Sequence, residues 1–113
     1  MPFIDAKITL NLDAPTKEQL KAELAKTMAP LGKSETYLMV GIDDGYDLWM
    51  AGKKLEKGAY VSLSLIGNAT KEKYTEVTKV VCSVMSELLS IEPENVYVTY
   101  HPVADWGWNN TNF

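Results

Sequence analysis

Proline at position 2 follows Met1, and a small residue there permits removal of the methionine, which would leave a secondary amine as the first nitrogen of the chain. An α-amino group titrates near about 7.7 to 8.0, and desolvation in an apolar pocket disfavours its charged form. Such a base, neutral at physiological pH, can take a carbon-bound proton next to a carbonyl, most efficiently when its pKa lies near the working pH. Taken alone, a proline after Met1 is a commonplace start. Lys33, after Leu31-Gly32, either complements the dipole of a helix end or stands beside a pocket for an anionic substrate. Tyr37 and Tyr97 fall in expected strands, where tyrosine commonly fills a core or an interface. The C-terminal run carries Trp106, Trp108 and Phe113, whose apolar surface is expensive to leave in water, so this tail is expected to dock, on its own subunit or on a neighbour.

Other chemistry is poorly supplied. Cys82 and His101 are the only residues of their types, so an internal disulfide and a cysteine/histidine metal site are both excluded. Cys82 reads as a small buried hydrophobe, and His101 as a residue closing the last strand. No glycine-rich phosphate loop, Ser/His/Asp set or paired-carboxylate motif is present, and Asp43-Asp44 reads as a turn. No cofactor is implied. All eleven cationic side chains are lysines, so an anion must be held by lysine or backbone N–H groups rather than by a guanidinium fork. The net charge of -4 and pI near 4.9 lack the basic footprint of nucleic-acid binding. No apolar run reaches the roughly 18 residues of a membrane span and no Sec signal opens the chain, so the expected location is the cytoplasm.

The elements that must position these residues follow from periodicity. At 113 residues, with 46% hydrophobic and 23% charged, the chain is read as one domain, 1–113, with one core. Pro2 to Leu12 alternates as a strand. Asp13 and Pro15 open a helix with Leu20, Leu24, Met28 and Leu31 on one face, ending near Pro30 to Gly32. A buried strand is expected over Tyr37 to Ile42, a short one over Tyr46 to Met50, a lysine-rich loop over Gly52 to Gly58, and the clearest strand over Ala59 to Gly67. Asn68 to Glu72 starts a second helix with the stripe Tyr74, Val77, Val81, Val84, Met85 and Leu88. Ile91 to Asn95 turns into a final strand, Val96 to Tyr100.

Thr16-Lys17-Glu18 recurs as Thr70-Lys71-Glu72, each opening a helix that leads to a strand containing a tyrosine. Two right-handed βαβ units then form an α+β fold, a four-stranded mixed sheet with two helices on one face. The other face lacks cover, and a second layer from further copies of the chain is expected.

The order Met1-Pro2-Phe3-Ile4, Leu31-Gly32-Lys33 with Tyr37, Ser64-Leu65-Ile66-Gly67, Val96-Tyr97-Val98 and Trp106 to Phe113 resembles the macrophage migration inhibitory factor family of the tautomerase superfamily. The resemblance implies a homotrimer whose three sheets form a barrel with the helices outside. It also implies a keto-enol tautomerase of small aromatic 2-keto acids, phenylpyruvate-like or dopachrome-like. Pro2 would be the catalytic base, and Lys33 with the backbone N–H of Ile66 would hold the substrate carboxylate. Tyr97 from the adjacent subunit, Tyr37, Trp108 and Phe113 would line the pocket. Thr99 stands where many members carry asparagine, Trp106 replaces a smaller aliphatic residue at the rim, and the Cys-x-x-Cys pair of the animal cytokines is absent. The alternative is a cytokine-like protein with a vestigial pocket, acting on a host receptor and leaving the cell by an unconventional route.

Overall fold

The computed structural model describes residues 1–113. The alternation at the N-terminus forms β1 (Pro2–Ile8), with Ile4, Ala6 and Ile8 buried and Phe3, Asp5 and Lys7 half-buried on the other side. It stops four residues short of Leu12. Thr9 is the reason, since its N–H and hydroxyl both bond to the 56–58 turn, the hydroxyl accepting from the Gly58 N–H at 3.0 Å and donating to the Glu56 carbonyl at 2.9 Å.

Helix α1 (Ala14–Ala25) starts where Asp13 accepts the Thr16 N–H at 2.8 Å, an N-cap that satisfies an otherwise orphaned donor. The apolar stripe from Leu20 to Leu31 does bury, but not on one continuous helix. Pro30 lacks an N–H for the Lys26 carbonyl and its ring would clash there, and the backbone answers with two short i−3 bonds, Lys26 N–H to Glu23 and Thr27 N–H to Leu24. A separate turn, α2 (Met28–Leu31), follows and ends on Gly32 at φ +66°. That left-handed cap, which glycine adopts without steric penalty, swings Lys33 off the helix axis.

Strand β2 is Met39–Asp43, so Tyr37 lies in the turn before it and not within a strand. Asp44 then ties this end of the sheet to the chain after β1. Its carboxylate accepts the Leu12 N–H at 2.8 Å and pairs with Lys17 at 3.2 Å, and these contacts, the N–H first, hold its pKa below the ordinary carboxylate value. The short strand expected over 46–50 is only β3 (Trp49–Met50), and it pairs with β4 (Lys53–Lys54) inside the region read as a loop. Ala51 and Gly52, both at positive φ, form the two-residue turn that matches strand twist.

Strand β5 (Ala59–Ile66) has the clean alternation of its sequence. Helix α3 (Lys71–Leu89) is capped by Thr70 and buries Val77, Val81, Val84, Met85 and Leu89, with Leu88 only half-buried. After a 3-10 turn at Pro93–Asn95, β6 runs Val96–Val103. It passes His101 and Pro102 because it is an edge strand, where a missing N–H is tolerated. The tail folds as a hairpin of its own, β7 (Gly107–Trp108) and β8 (Thr111–Asn112), turned by Asn109 and Asn110 at positive φ.

The sheet order is β2-β1-β5-β6, with β1–β2 and β5–β6 parallel and β1–β5 antiparallel. These are the two βαβ units. Eighteen buried apolar residues, from Ile4 and Leu63 on the sheet to Leu24 and Met85 on the helices, form one core on the helix side. Tyr100 belongs to that side. Its ring stacks on Tyr74 at 4.3 Å and its hydroxyl donates to the Tyr74 carbonyl at 2.8 Å while accepting from Thr78 at 2.6 Å. Cys82 is half-buried against the core, and burial pushes its thiol pKa up. The opposite face, with Asp5, Lys7, Tyr60, Ser62 and Ser64 half-buried, carries no helix. No helix is long and apolar enough to cross a membrane.

Because its pKa is depressed in the folded state, the Asp44 carboxylate stabilises the fold above the ordinary value of 3.8 and loses that contribution as pH falls through the lowered one. An Asp44→Asn variant should therefore melt below the parent chain near neutral pH, with the gap closing in strong acid. Thermal unfolding followed by circular dichroism across pH checks this; a gap that is independent of pH contradicts it.

Candidate functional site

Pro2 is buried at the first position of β1, opposite Leu65 of β5. A cavity of about 900 Å³ opens beside it. Its floor is Met1, Pro2 and Phe3 with Ser64 of β5, one wall is the 36–39 segment that enters β2, and the other is the 105–108 segment after β6. The aromatic wall is built by mutual contact. Tyr37 meets Trp108 edge-on, centroids 5.5 Å apart at 71°, and Trp108 stacks on Phe113 at 6.2 Å and 27°, both ordinary aromatic geometries. The hairpin bond from the Phe113 N–H to the Trp106 carbonyl, 2.9 Å, fixes the tail in that place. Tyr37, Trp108 and Phe113 remain about half exposed all the same.

The electrostatics at the floor shift the terminal amine toward its uncharged form. With Met1 attached, the terminal amine has its pKa lowered from 8.0, first by burial and then by the positive charge of Lys33. The Met1 carbonyl accepts the Ile66 N–H at 3.3 Å. So Lys33 and Ile66, though not in the cavity wall, both stand against its first residue.

Of the residues singled out from sequence, the chain gathers Pro2, Tyr37, Trp106 and Trp108 around one cavity, with Lys33 and Ile66 adjoining through Met1 and Phe113 through Trp108. Tyr97 and Thr99 are elsewhere. The register places Pro102, not Tyr97, level with Leu65 and Pro2, so Tyr97 stands roughly 16 Å away along β6. There it lines a second groove of about 190 Å³ with Trp49, Met50, Leu55 and Tyr60. Thr99 sits in a relay on the open sheet face, 2.8 Å from the Tyr60 hydroxyl and 2.9 Å from His101 Nε2. Within one chain neither reaches Pro2.

Sequence reasoning missed Asp105, Ser64 and Thr36 as cavity residues. Ser64 had a signal, since alternation puts it on the face opposite Leu63 and Leu65. Asp105 had none, because only the return of the tail brings it to Pro2. No group of three His, Cys, Asp or Glu side chains is arranged to hold a metal ion.

Comparison with known proteins places this geometry. The family model described as macrophage migration inhibitory factor (MIF) matches residues 1–113. The macrophage migration inhibitory factor of Rattus norvegicus is 28% identical over 103 residues, covering 88% of this chain and 89% of that protein. Leishmania major MIF2 superposes with a TM-score of 0.92 at 27% identity, over 100% of this chain and 97% of that one. A macrophage migration inhibitory factor homologue from Prochlorococcus marinus gives a TM-score of 0.86 at 26% identity, over 98% of each chain.

Removing the Lys33 charge should raise the pKa of the terminal amine of the Met1-bearing chain toward 8.0, but not fully, because burial is the larger cause. The test is amine-selective labelling against pH for the parent and Lys33→Ala, read at residue 1 by peptide mass spectrometry. Superimposable labelling curves would show that Lys33 exerts no field at this floor.

Proposed function

The chain belongs to the macrophage migration inhibitory factor family of the tautomerase superfamily, and from that premise we propose that it is a cofactor-independent keto-enol tautomerase of small aromatic 2-keto acids. Pro2, once Met1 is removed, is the base in this reading. The observation that carries it is the buried position of Pro2 at the floor of an aromatic-walled cavity, where the terminal amine of the Met1-bearing chain already has its pKa lowered by burial and by Lys33.

In the proposed reaction the neutral amine takes the proton from C3 of the keto acid. The C–H pair becomes the C2–C3 double bond, and the carbonyl oxygen takes up a proton to become the enol hydroxyl, so the sum is an isomerisation. Lys33 holds the carboxylate as a point charge. Removing Met1 also removes the acceptor of the Ile66 N–H, which then serves the same carboxylate. The aromatic ring of the substrate lies against Tyr37 and Trp108. Burial at the floor favours the neutral form of the amine and strengthens the pull of Lys33.

The assembly belongs to the proposal. Three copies joined through their uncovered sheet faces into a barrel give each Pro2 cavity a Tyr97 from its neighbour, which the separation within one chain otherwise forbids. Phenylpyruvate fits the aromatic wall, and dopachrome-like compounds share the acid group and the flat ring. A signalling role at a host receptor draws only on the names of the relatives, whereas the open cavity at Pro2 favours catalysis.

Enolisation of phenylpyruvate by the processed protein tests the reading. A Pro2→Gly variant should lose about 10²- to 10⁴-fold in kcat/KM, the range that positioned acid–base groups supply; parent-like rates from that variant refute the assignment. Sedimentation equilibrium at micromolar concentration should give three times the 12.6 kDa chain mass, and a monomer would remove Tyr97 from the site.

A further inference from the structure

Two side chains of opposite charge stand by the Pro2 cavity. Lys33, outside the cavity wall, is the only cation acting on the terminal amine at its floor. On the wall formed by the tail stands Asp105, beside Trp106 and in the same cavity. Neither side chain forms an ion pair within the chain, although seven such pairs occur elsewhere. An exposed carboxylate in an aromatic-lined cavity adds two like-signed effects. Its charge repels an anion and attracts a cation, and tryptophan rings, of which Trp106 and Trp108 line the same cavity, attract cations to their faces. The chain has no arginine, and no lysine pairs with Asp105 within the protomer.

We infer that Asp105 sets the charge specificity of the pocket, so that among aromatic 2-keto acids held by their carboxylate at Lys33 those with a cationic or neutral distal ring substituent are preferred to those with an anionic one. The inference rests on the tautomerase reading and names its substrate class more narrowly. Aromatic acids bearing a positively charged nitrogen match both charges. Aromatic dicarboxylates place a second negative charge against Asp105. Asp105 is a specificity-determining residue here and takes no part in the proton transfer.

The experiment uses the full, processed chain and two sets of ligands. Phenylpyruvates with para carboxylate, nitro, trimethylammonium and tert-butyl groups are compared by kcat/KM, and the matching non-reacting 3-phenylpropionates by calorimetric binding. Nitro and tert-butyl are neutral isosteres of the two charged groups, so each ratio isolates charge from size. The parent should bind and turn over the carboxylate about fivefold less well than its nitro isostere, and the trimethylammonium compound better than its tert-butyl isostere, the scale of a single solvent-screened charge pair. Asp105→Asn should bring both ratios close to one, and Asp105→Lys should invert them.

Ratios unchanged in Asp105→Asn, with phenylpyruvate still turned over, would overturn this inference and leave the tautomerase reading standing. Charge-dependent binding that disappears in Asp105→Asn, with no turnover of any keto acid by the parent, would support the charge assignment and overturn the tautomerase reading. Absence of both binding and turnover in a folded parent would overturn both.

Discussion

Chain termini are ordinarily the most mobile part of a domain unless an element ties them down. Here Pro2 opens a strand paired on both sides, with Leu65 of β5 opposite it and Phe3 already in register with Met39 of β2. Everything about the site depends on that double pairing. An amine on a frayed terminus would be solvated and titrate as an ordinary one; an amine at the head of a central strand is fixed where the sheet ends and a cavity begins. The core beneath enforces it, since Ile4, Ala6 and Ile8 are almost wholly buried and a slip of one residue would turn all three to the open face.

The rest of the molecule builds walls around that fixed point. Pro30 breaks the first helix and Gly32 turns it, so Lys33 leaves the axis of α2 and its charge acts on the terminal amine at the floor. The long edge strand β6 delivers the tail, and the hairpin at 107–112 presents Trp108 to Tyr37. Only the uncovered sheet face stays without a partner. Its relay from Tyr60 through Thr99 to His101 shows that Thr99 already has hydrogen-bond partners within its own chain, which bears on any substrate hydroxyl brought near it.

Much of this was legible from residue order. Strands β1 and β5 and helix α3 follow their periodicity because burial on one side dictates it, and the antiparallel joining of two βαβ units explains the repeated Thr-Lys-Glu. What resisted reading was set by backbone conformation or by distance along the chain. Lys53 and Lys54 carry no strand signal, yet the Ala51-Gly52 turn folds them back on Trp49 and Met50. Pro30 looked like a stop and acts four residues earlier. Pro2 could be picked out as a chemical group from its position alone, whereas Asp105 enters the cavity only through the path of the tail, and the remoteness of Tyr97 follows from strand register rather than from residue type.

The proposed function requires that, once Met1 is removed, the Pro2 nitrogen take over the lowered pKa that burial and the Lys33 charge give the terminal amine of the Met1-bearing chain. It is tested most directly by labelling the proline with ¹⁵N, confirming loss of Met1 by intact mass, and following the nitrogen shift against pH. The account predicts a titration midpoint clearly below the usual α-amino range of about 7.7 to 8.0. A midpoint within that range, in protein shown to begin at Pro2, would contradict it.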